Sequence, residues 1–205
     1  VQGRYVFPFS QLRMTDVDRV GGKNASLGEL LTSFERGIRV PDGFATTAEA
    51  FRLFLKEGGL EDRIHARLAK LDVDDVKALA AAGAEIRGWI ESAPFPAELE
   101  KEIREFYEWL REGRDISVAV DPLPQLKTFR TLPLPASKKR FFNVVGIDAV
   151  LHHMKELRVA YNDRAISYRV HKALRTLKWR FLPACSACAG SDKAPAGVMF
   201  TLAYR

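Results

Sequence analysis

Two adjacent glycines, Gly21 and Gly22, stand directly before Lys23 and a run in which Leu27, Leu30, Leu31 and Phe34 fall at helical spacing. This spacing predicts a glycine loop that opens a helix, and it constrains the chain more than any other feature. At such a junction the backbone can approach a ligand closely, the first helical N–H groups point outward, and a lysine adds a mobile positive charge. Phosphate is the guest this chemistry suits. The pattern is neither Gly-x-x-x-x-Gly-Lys-Ser/Thr nor Gly-x-Gly-x-x-Gly, and a Gly-Gly-Lys surface turn is spelled the same way. Taken by themselves, the residues leave both readings open.

The flanking sequence is locally consistent. Tyr5-Val6-Phe7-Pro8-Phe9 is a short apolar stretch, and Val40-Pro41-Asp42-Gly43-Phe44-Ala45 reads as a turn and short strand. Thr46 with Glu49 fits a capping box ahead of Phe51, Phe54 and Leu55. Residues 61–112 are helical in pattern, interrupted by Pro94 and Pro96 before a stripe of Leu99, Ile103, Phe106 and Leu110. Ile116-Ser117-Val118-Ala119-Val120 is β-branched and short enough for a buried strand. Residues 141–146 predict a strand and turn, 147–155 and 163–171 two helices, and 191–201 a turn into a strand. The mixture predicts an α/β (α+β) fold, and 205 residues are enough for one substantial core or two small ones.

Two segments break this consistency. Residues 121–140 hold Pro122, Pro124, Pro133 and Pro135 and end in Lys138-Lys139-Arg140, with neither strand nor helix periodicity. Residues 173–190 mix Trp179, Phe181, Pro183, Cys185 and Cys188. The chain carries a net charge of +6, yet these segments hold eight of its basic residues and one acid, leaving 24 basic against 25 acidic residues elsewhere, a net of −1. The basicity is local, which argues against a nucleic-acid partner. The cysteines form a single Cys-x-x-Cys with no second pair and no histidine cluster beside it, so no four-ligand metal site is completed locally. No apolar run approaches the roughly 20 residues of a membrane span, and no basic-then-apolar leader is visible, so the expected compartment is the cytoplasm.

Four separated motifs carry a resemblance. Val20-Gly21-Gly22-Lys23-Asn24-Ala25-Ser26-Leu27-Gly28-Glu29-Leu30, then Val40 to Phe51, then Asn162-Asp163-Arg164-Ala165-Ile166-Ser167-Tyr168-Arg169-Val170-His171, then Gly197-Val198-Met199-Phe200 are similar, in this order and spacing, to the N-terminal ATP-binding domain of phosphoenolpyruvate synthases, relatives of pyruvate phosphate dikinase. The resemblance covers 5–120, 141–172 and 191–202. It implies an ATP-grasp-like nucleotide-binding domain, here incomplete over 1–205, with the phosphohistidine and pyruvate-binding domains absent. In the full-length family such a domain passes the β-phosphoryl group of ATP to a histidine on a swivelling domain, which delivers it to pyruvate, with magnesium throughout. ATP, and pyruvate in the full-length family, are the implied partners, the net reaction being ATP + pyruvate + water to AMP + phosphoenolpyruvate + phosphate in the gluconeogenic direction.

Gly21, Gly22 and Lys23 match the family's glycine loop, which implies that Lys23 pairs with ATP phosphates. Arg164 and Arg169 lie in a matching motif and are candidate nucleotide-domain contacts, although their helical spacing near acids also suits structural pairs. His65, His152, His153 and His171 do not match the phospho-accepting motif and read as surface or packing histidines. No catalytic residue and no metal ligand is assigned. A related dikinase with another acceptor, or a non-catalytic anion-binding remnant whose basic segments bind in a salt-dependent way, are the alternatives.

The departures fall at the two odd segments. After the strand ending at Val120 the family places an Arg-Ser-Ser-Ala-Thr-Ala-Glu-Asp motif that holds phosphates, and Asp121 stands where its arginine belongs, so a carboxylate should repel the phosphate. The expectation is that neither segment forms its strand, which leaves unpaired edges, a loosened core and a chain inactive by itself. Plausible codons for residues 126–140, read one base earlier, spell Glu-Asp-Leu-Pro-Asp-Ala-Ser-Phe-Ala-Gly-Gln-Gln-Glu-Thr. Those for 177–187 spell Glu-Val-Ala-Leu-Ser-Ala-Gly-Val-Gln-Arg-Met. Both strings are family-like, and one cause, a pair of compensated frameshifts, accounts for the local basicity, the prolines and the cysteine pair together. Sequencing genomic DNA across codons 115 to 205 is expected to reveal those strings in the neighbouring frame; a gene whose other frames encode neither string refutes this origin.

Overall fold

Helices and strands alternate along most of the chain as the apolar spacing predicts, and the differences sit at the two odd segments. The computed structural model describes residues 3–33, 41–124, 141–156, 166 and 181–187. In chain order these give β1 (Val6–Pro8), two 3-10 turns (Phe9–Gln11 and Met14–Asp16), α1 (Val17–Val20), α2 (Gly22–Ser33), β2 (Gly43–Thr46), α3 (Ala48–Glu57) and α4 (Leu60–Ala69). There follow α5 (Val76–Ser92), α6 (Ala97–Arg111), β3 (Ser117–Pro124), β4 (Phe141–Val145), α7 (Ile147–Glu156) and β5 (Phe181–Ala187). Of the expected helix over 163–171 only Ile166 is described, helical and fully buried. The strand expected over 191–201 lies outside the described residues, as does Cys188.

The five strands form one sheet in the order β1-β2-β5-β3-β4, each neighbouring pair antiparallel. This corrects the expectation for both odd segments. Residues 121–124 prolong β3, residues 181–187 form the central strand β5, and the two pair with each other: Asp121↔Ala184, Pro122↔Pro183, Leu123↔Leu182 and Pro124↔Phe181. Prolines lack an N–H and are tolerated where a strand has a partner on one side only. Here the β2–β5 ladder runs from Gly43↔Ser186 to Ala45↔Ala184, and β3 pairs with β4 no further than Val120↔Phe141. Among the described residues, Pro122, Pro124 and Pro183 therefore pair only with each other's strand, beyond both ladders.

The main core lies between the sheet and helices α3–α7, with Phe44, Phe54, Ile64, Ile86, Ile103, Phe106, Val118, Val120 and Val150 all buried. Helix α6 shows why: Leu99, Ile103, Phe106 and Tyr107 are one helical stripe, and Phe106 meets Phe44 of β2 at 5.9 Å between ring centroids. At the edge of this stripe Glu102 anchors residues 4–6, accepting from the amides of Arg4, Tyr5 and Val6 at 3.0, 2.9 and 3.0 Å. Tyr107 in turn accepts from the Gly146 amide at 3.0 Å, fixing the turn between β4 and α7 where Gly146 has φ 90°.

The cap of α3 is Thr47 rather than Thr46: its hydroxyl accepts from the Ala50 amide at 3.2 Å. Thr46 is held in β2 opposite Val6, so the cap moves one residue on.

A second, smaller core lies under the glycine loop, built from Phe9, Leu12, Val17, Val20, Ala25 and Ala45, with Phe7, Leu27 and Leu31 against it. Helix α2 approaches the 3-10 segment so closely that a Cβ at Gly28 would meet the Leu12 carbonyl, the Phe9 carbonyl at 2.6 Å and Leu12 Cβ at 2.6 Å. These obstacles are mostly backbone and cannot swing away. Gly28→Ala is therefore expected to destabilise the fold by about 1–3 kcal/mol, the usual range for overpacking, outweighing the ~1 kcal/mol that alanine gains as a helix former. A denaturation midpoint that rises in this variant contradicts the packing described.

Candidate functional site

The loop ahead of α2 is built by one glycine that serves two helices. The Gly21 amide donates to the Val17 carbonyl at 3.0 Å and ends α1, while the Gly21 carbonyl accepts from the Ala25 amide at 2.9 Å and begins α2. Its φ of 91° and ψ of 153° lie in a region that only glycine occupies without strain. At Gly22 an added Cβ would meet nothing within 4 Å among the described residues, so there is open space beside this half-buried glycine. Helix geometry leaves the amides of Gly22, Lys23 and Asn24 without an intrahelical acceptor, at the positive end of the α2 dipole.

Two side chains brace this turn. Ser26 Oγ donates to the Gly22 carbonyl at 2.7 Å, and Asn24 Nδ2 donates to the Val20 carbonyl at 2.7 Å. Asn24 is wholly buried, and its Oδ1 has no hydrogen-bond partner among the described residues.

Lys23 has a partner that the sequence did not announce. Its ammonium donates to Asp121 Oδ2, from a side chain 48% exposed to one 18% exposed. The residue expected to repel phosphate therefore holds the lysine expected to attract it. The start of α2 is tied across 98 residues of chain to β3, and Lys23 and Asp121 together contribute no net charge. A pattern search could not find this pair, because the two residues share no motif and meet only when α2 docks beside β3.

Arg164 and Arg169 lie outside the described residues, as do residues 125–140 and His171. The other histidines are apart from the loop: His65 is on α4 with a buried Nε2 lacking a partner among the described residues, and His152 and His153 are on α7. A cleft of about 480 Å³ beside α3, lined by Arg4, Tyr5, Glu49, Arg52, Lys56 and Glu61 among others, does not include Lys23. There the Glu49 hydrogen bond holds the Arg4 guanidinium above its ordinary pKa, and burial pushes the Tyr5 phenol up. Arg4 and Glu49 pair with each other at 3.2 Å beside this cleft. Among the described residues, no helix is long and apolar enough to cross a membrane.

Residues 17–204 match the family of the pyruvate phosphate dikinase AMP/ATP-binding domain. The chain is 47% identical to the phosphoenolpyruvate synthase of Neisseria meningitidis, with 97% of the chain and 26% of that protein covered. It is 47% identical to the phosphoenolpyruvate synthase of Deinococcus radiodurans and 45% identical to that of Escherichia coli, each time over 95% of the chain and 25% of the relative. The chain thus spans about a quarter of the length of these curated relatives. Coverage this complete runs across both odd segments.

The two loop glycines should respond differently to the same change. Gly21→Ala is expected to cost on the order of 1–3 kcal/mol of stability from its backbone conformation. Gly22→Ala, in open space at a helix start, should change stability little; the pair of denaturation curves distinguishes a required loop geometry from a merely tolerant one.

Proposed function

The chain belongs to the family of the pyruvate phosphate dikinase AMP/ATP-binding domain, and from that premise we propose that it is the ATP-binding part of a phosphoenolpyruvate synthase. The observation that carries this is the position of Lys23, on the first turn of α2 beside amides without an intrahelical acceptor, on a loop whose Gly21 adopts a conformation reserved for glycine. Such a corner can receive the phosphates of ATP: the amides supply dipoles and Lys23 a charge that follows the phosphoryl group. The surrounding domain is ATP-grasp-like in this reading, with Arg164 and Arg169 as further nucleotide contacts. The whole enzyme converts ATP, pyruvate and water to AMP, phosphoenolpyruvate and phosphate, a step towards glucose synthesis carried out in the cytoplasm, with the acceptor histidine and the pyruvate site on other domains.

Magnesium is the expected companion of the nucleotide. The described residues do not make a cage for it near the loop: the carboxylate there is Asp121, and it is committed to Lys23. Magnesium would arrive bound to phosphate oxygens, and no step here depends on it.

The 205 residues by themselves are inactive in this reading, and their ATP binding is weak, because of position 121. An arginine there would place two positive charges at the phosphate site, whereas Asp121 with Lys23 makes the pair neutral. Two unit charges about 4 Å apart interact by roughly 4 kcal/mol at an effective dielectric of 20, so exchanging an attractive charge for a repulsive one is ample to abolish useful affinity.

Calorimetric titration with magnesium–ATP tests the reading. Asp121→Arg is expected to tighten binding at least tenfold, about 1.4 kcal/mol, and Lys23→Ala in that background to reverse the gain. The unmodified chain should release no AMP from ATP and pyruvate. If Asp121→Arg leaves binding unchanged while Lys138→Ala, Lys139→Ala and Arg140→Ala together remove it, the chain is an anion-binding remnant and this proposal fails.

A further inference from the structure

We propose that His152, His153 and Glu156, at the C-terminal turn of α7, form a binding site for a divalent ion of borderline softness such as Zn2+. One ligand atom from each of the three lies within 4.8 Å of the others. His153 Nδ1 meets Glu156 Oε2 at 2.8 Å, and His152 Nε2 lies 3.9 Å from the same oxygen. Zinc takes nitrogen and oxygen ligands at about 2.0–2.2 Å in tetrahedral sites, which places ligand atoms roughly 3.3 Å apart. The two separations bracket that value, so small side-chain rotations close the site.

The arrangement is held from outside. The His153 ring stacks on Phe141 of β4, with centroids 4.1 Å apart and planes 22° apart, and the side chain is 27% exposed. Glu156 is 22% exposed, while His152 is 68% exposed and faces solvent. Val150, Leu151 and Met154 are the buried residues of α7 and turn its other face to the core. Two of the three ligands are thus oriented before any ion arrives, and the third reaches in from water, leaving a coordination position for solvent.

Electrostatics favours a cation here. Glu156 brings a negative charge between the two imidazoles. The neighbouring cation on this turn, Lys155, places its ammonium 5.0 Å from the centroid of the Phe95 ring. Two imidazoles and one carboxylate suit zinc, cobalt, nickel or copper rather than magnesium or calcium, which prefer all-oxygen cages. The ion replaces the proton between His153 Nδ1 and Glu156 Oε2, that proton moving to Nε2 or to solvent.

The test is calorimetric titration of Zn2+ into the full chain carrying Cys185→Ser and Cys188→Ser, because the thiols are the competing soft ligands. One Zn2+ per chain is expected, with affinity reduced at least tenfold by His152→Ala and by Glu156→Gln, and unchanged by His65→Ala. His152 is exposed, so its replacement removes little packing, and circular dichroism confirms that each variant is folded. His153→Phe keeps a ring against Phe141 and should likewise lose the ion. The proposal is overturned if the serine background binds no Zn2+, which would assign any binding to the cysteines, or if His152→Ala and Glu156→Gln leave the affinity intact.

Discussion

The fold depends on β5 being a strand. It lies between β2 and β3, so the ribbon of β1 and β2, with the small core under the glycine loop, is joined to β3, β4 and α7 through backbone hydrogen bonds to this segment. A central strand is an unforgiving place for a foreign sequence, because both of its edges must be paired. Yet pairing is a property of the backbone. Any residue but proline supplies an N–H and a carbonyl in the right alternation, and Pro183 falls just beyond the last pair of the β2–β5 ladder, Ala45↔Ala184. In the neighbouring β3, Pro122 and Pro124 likewise lie beyond Val120↔Phe141, the last pair with β4 among the described residues.

The loop at the start of α2 rests on a different kind of support. Its geometry is set by Gly21, by the Ser26 and Asn24 side chains closing onto the preceding turn, and by the contact of Gly28 with Leu12 and Phe9. All of these lie within the first 33 residues, upstream of either odd segment. The glycine-loop half of the candidate site is thus built by these residues, and β3 contributes Asp121 to the other half.

Local pattern made most of this legible. The helix after Gly21-Gly22, the strand at Gly43–Thr46, the helical run over 60–111 with its break at Pro94 and Pro96, and the helix over 147–156 follow from apolar spacing, glycine and proline alone, whereas the break between α4 and α5 does not. The α3 cap was misplaced by one residue because Thr46 and Thr47 offer the same hydroxyl, and only the pairing of Thr46 with Val6 decides between them. The strands at 121–124 and 181–187 were illegible for a physical reason: side-chain alternation and β-branching are what a sequence displays, and neither segment has them. The Lys23–Asp121 contact spans 98 residues and no local pattern announces it. His152 and His153 read from the sequence as surface or packing histidines, because neither their approach to Glu156 nor the stacking of His153 on Phe141 carries a motif.

Fold and function therefore part at residue 121. Up to Val120 the β3 side chains are buried in the core and specify the strand, as Val118 and Val120 do at full burial. Beyond it the backbone continues the ladder with β5, and under the proposed function the Asp121 side chain would bring the wrong sign to the phosphates. A sheet asks of Asp121 only an amide and a carbonyl in register, and Asp121↔Ala184 supplies that register. A phosphate asks for positive charge and donors at fixed points, and a carboxylate offers neither. The architecture therefore accepts Asp121 readily, whereas the proposed chemistry turns on it. Its carboxylate does not stay idle: it pairs with Lys23, the cation that under the proposed function would meet the phosphate.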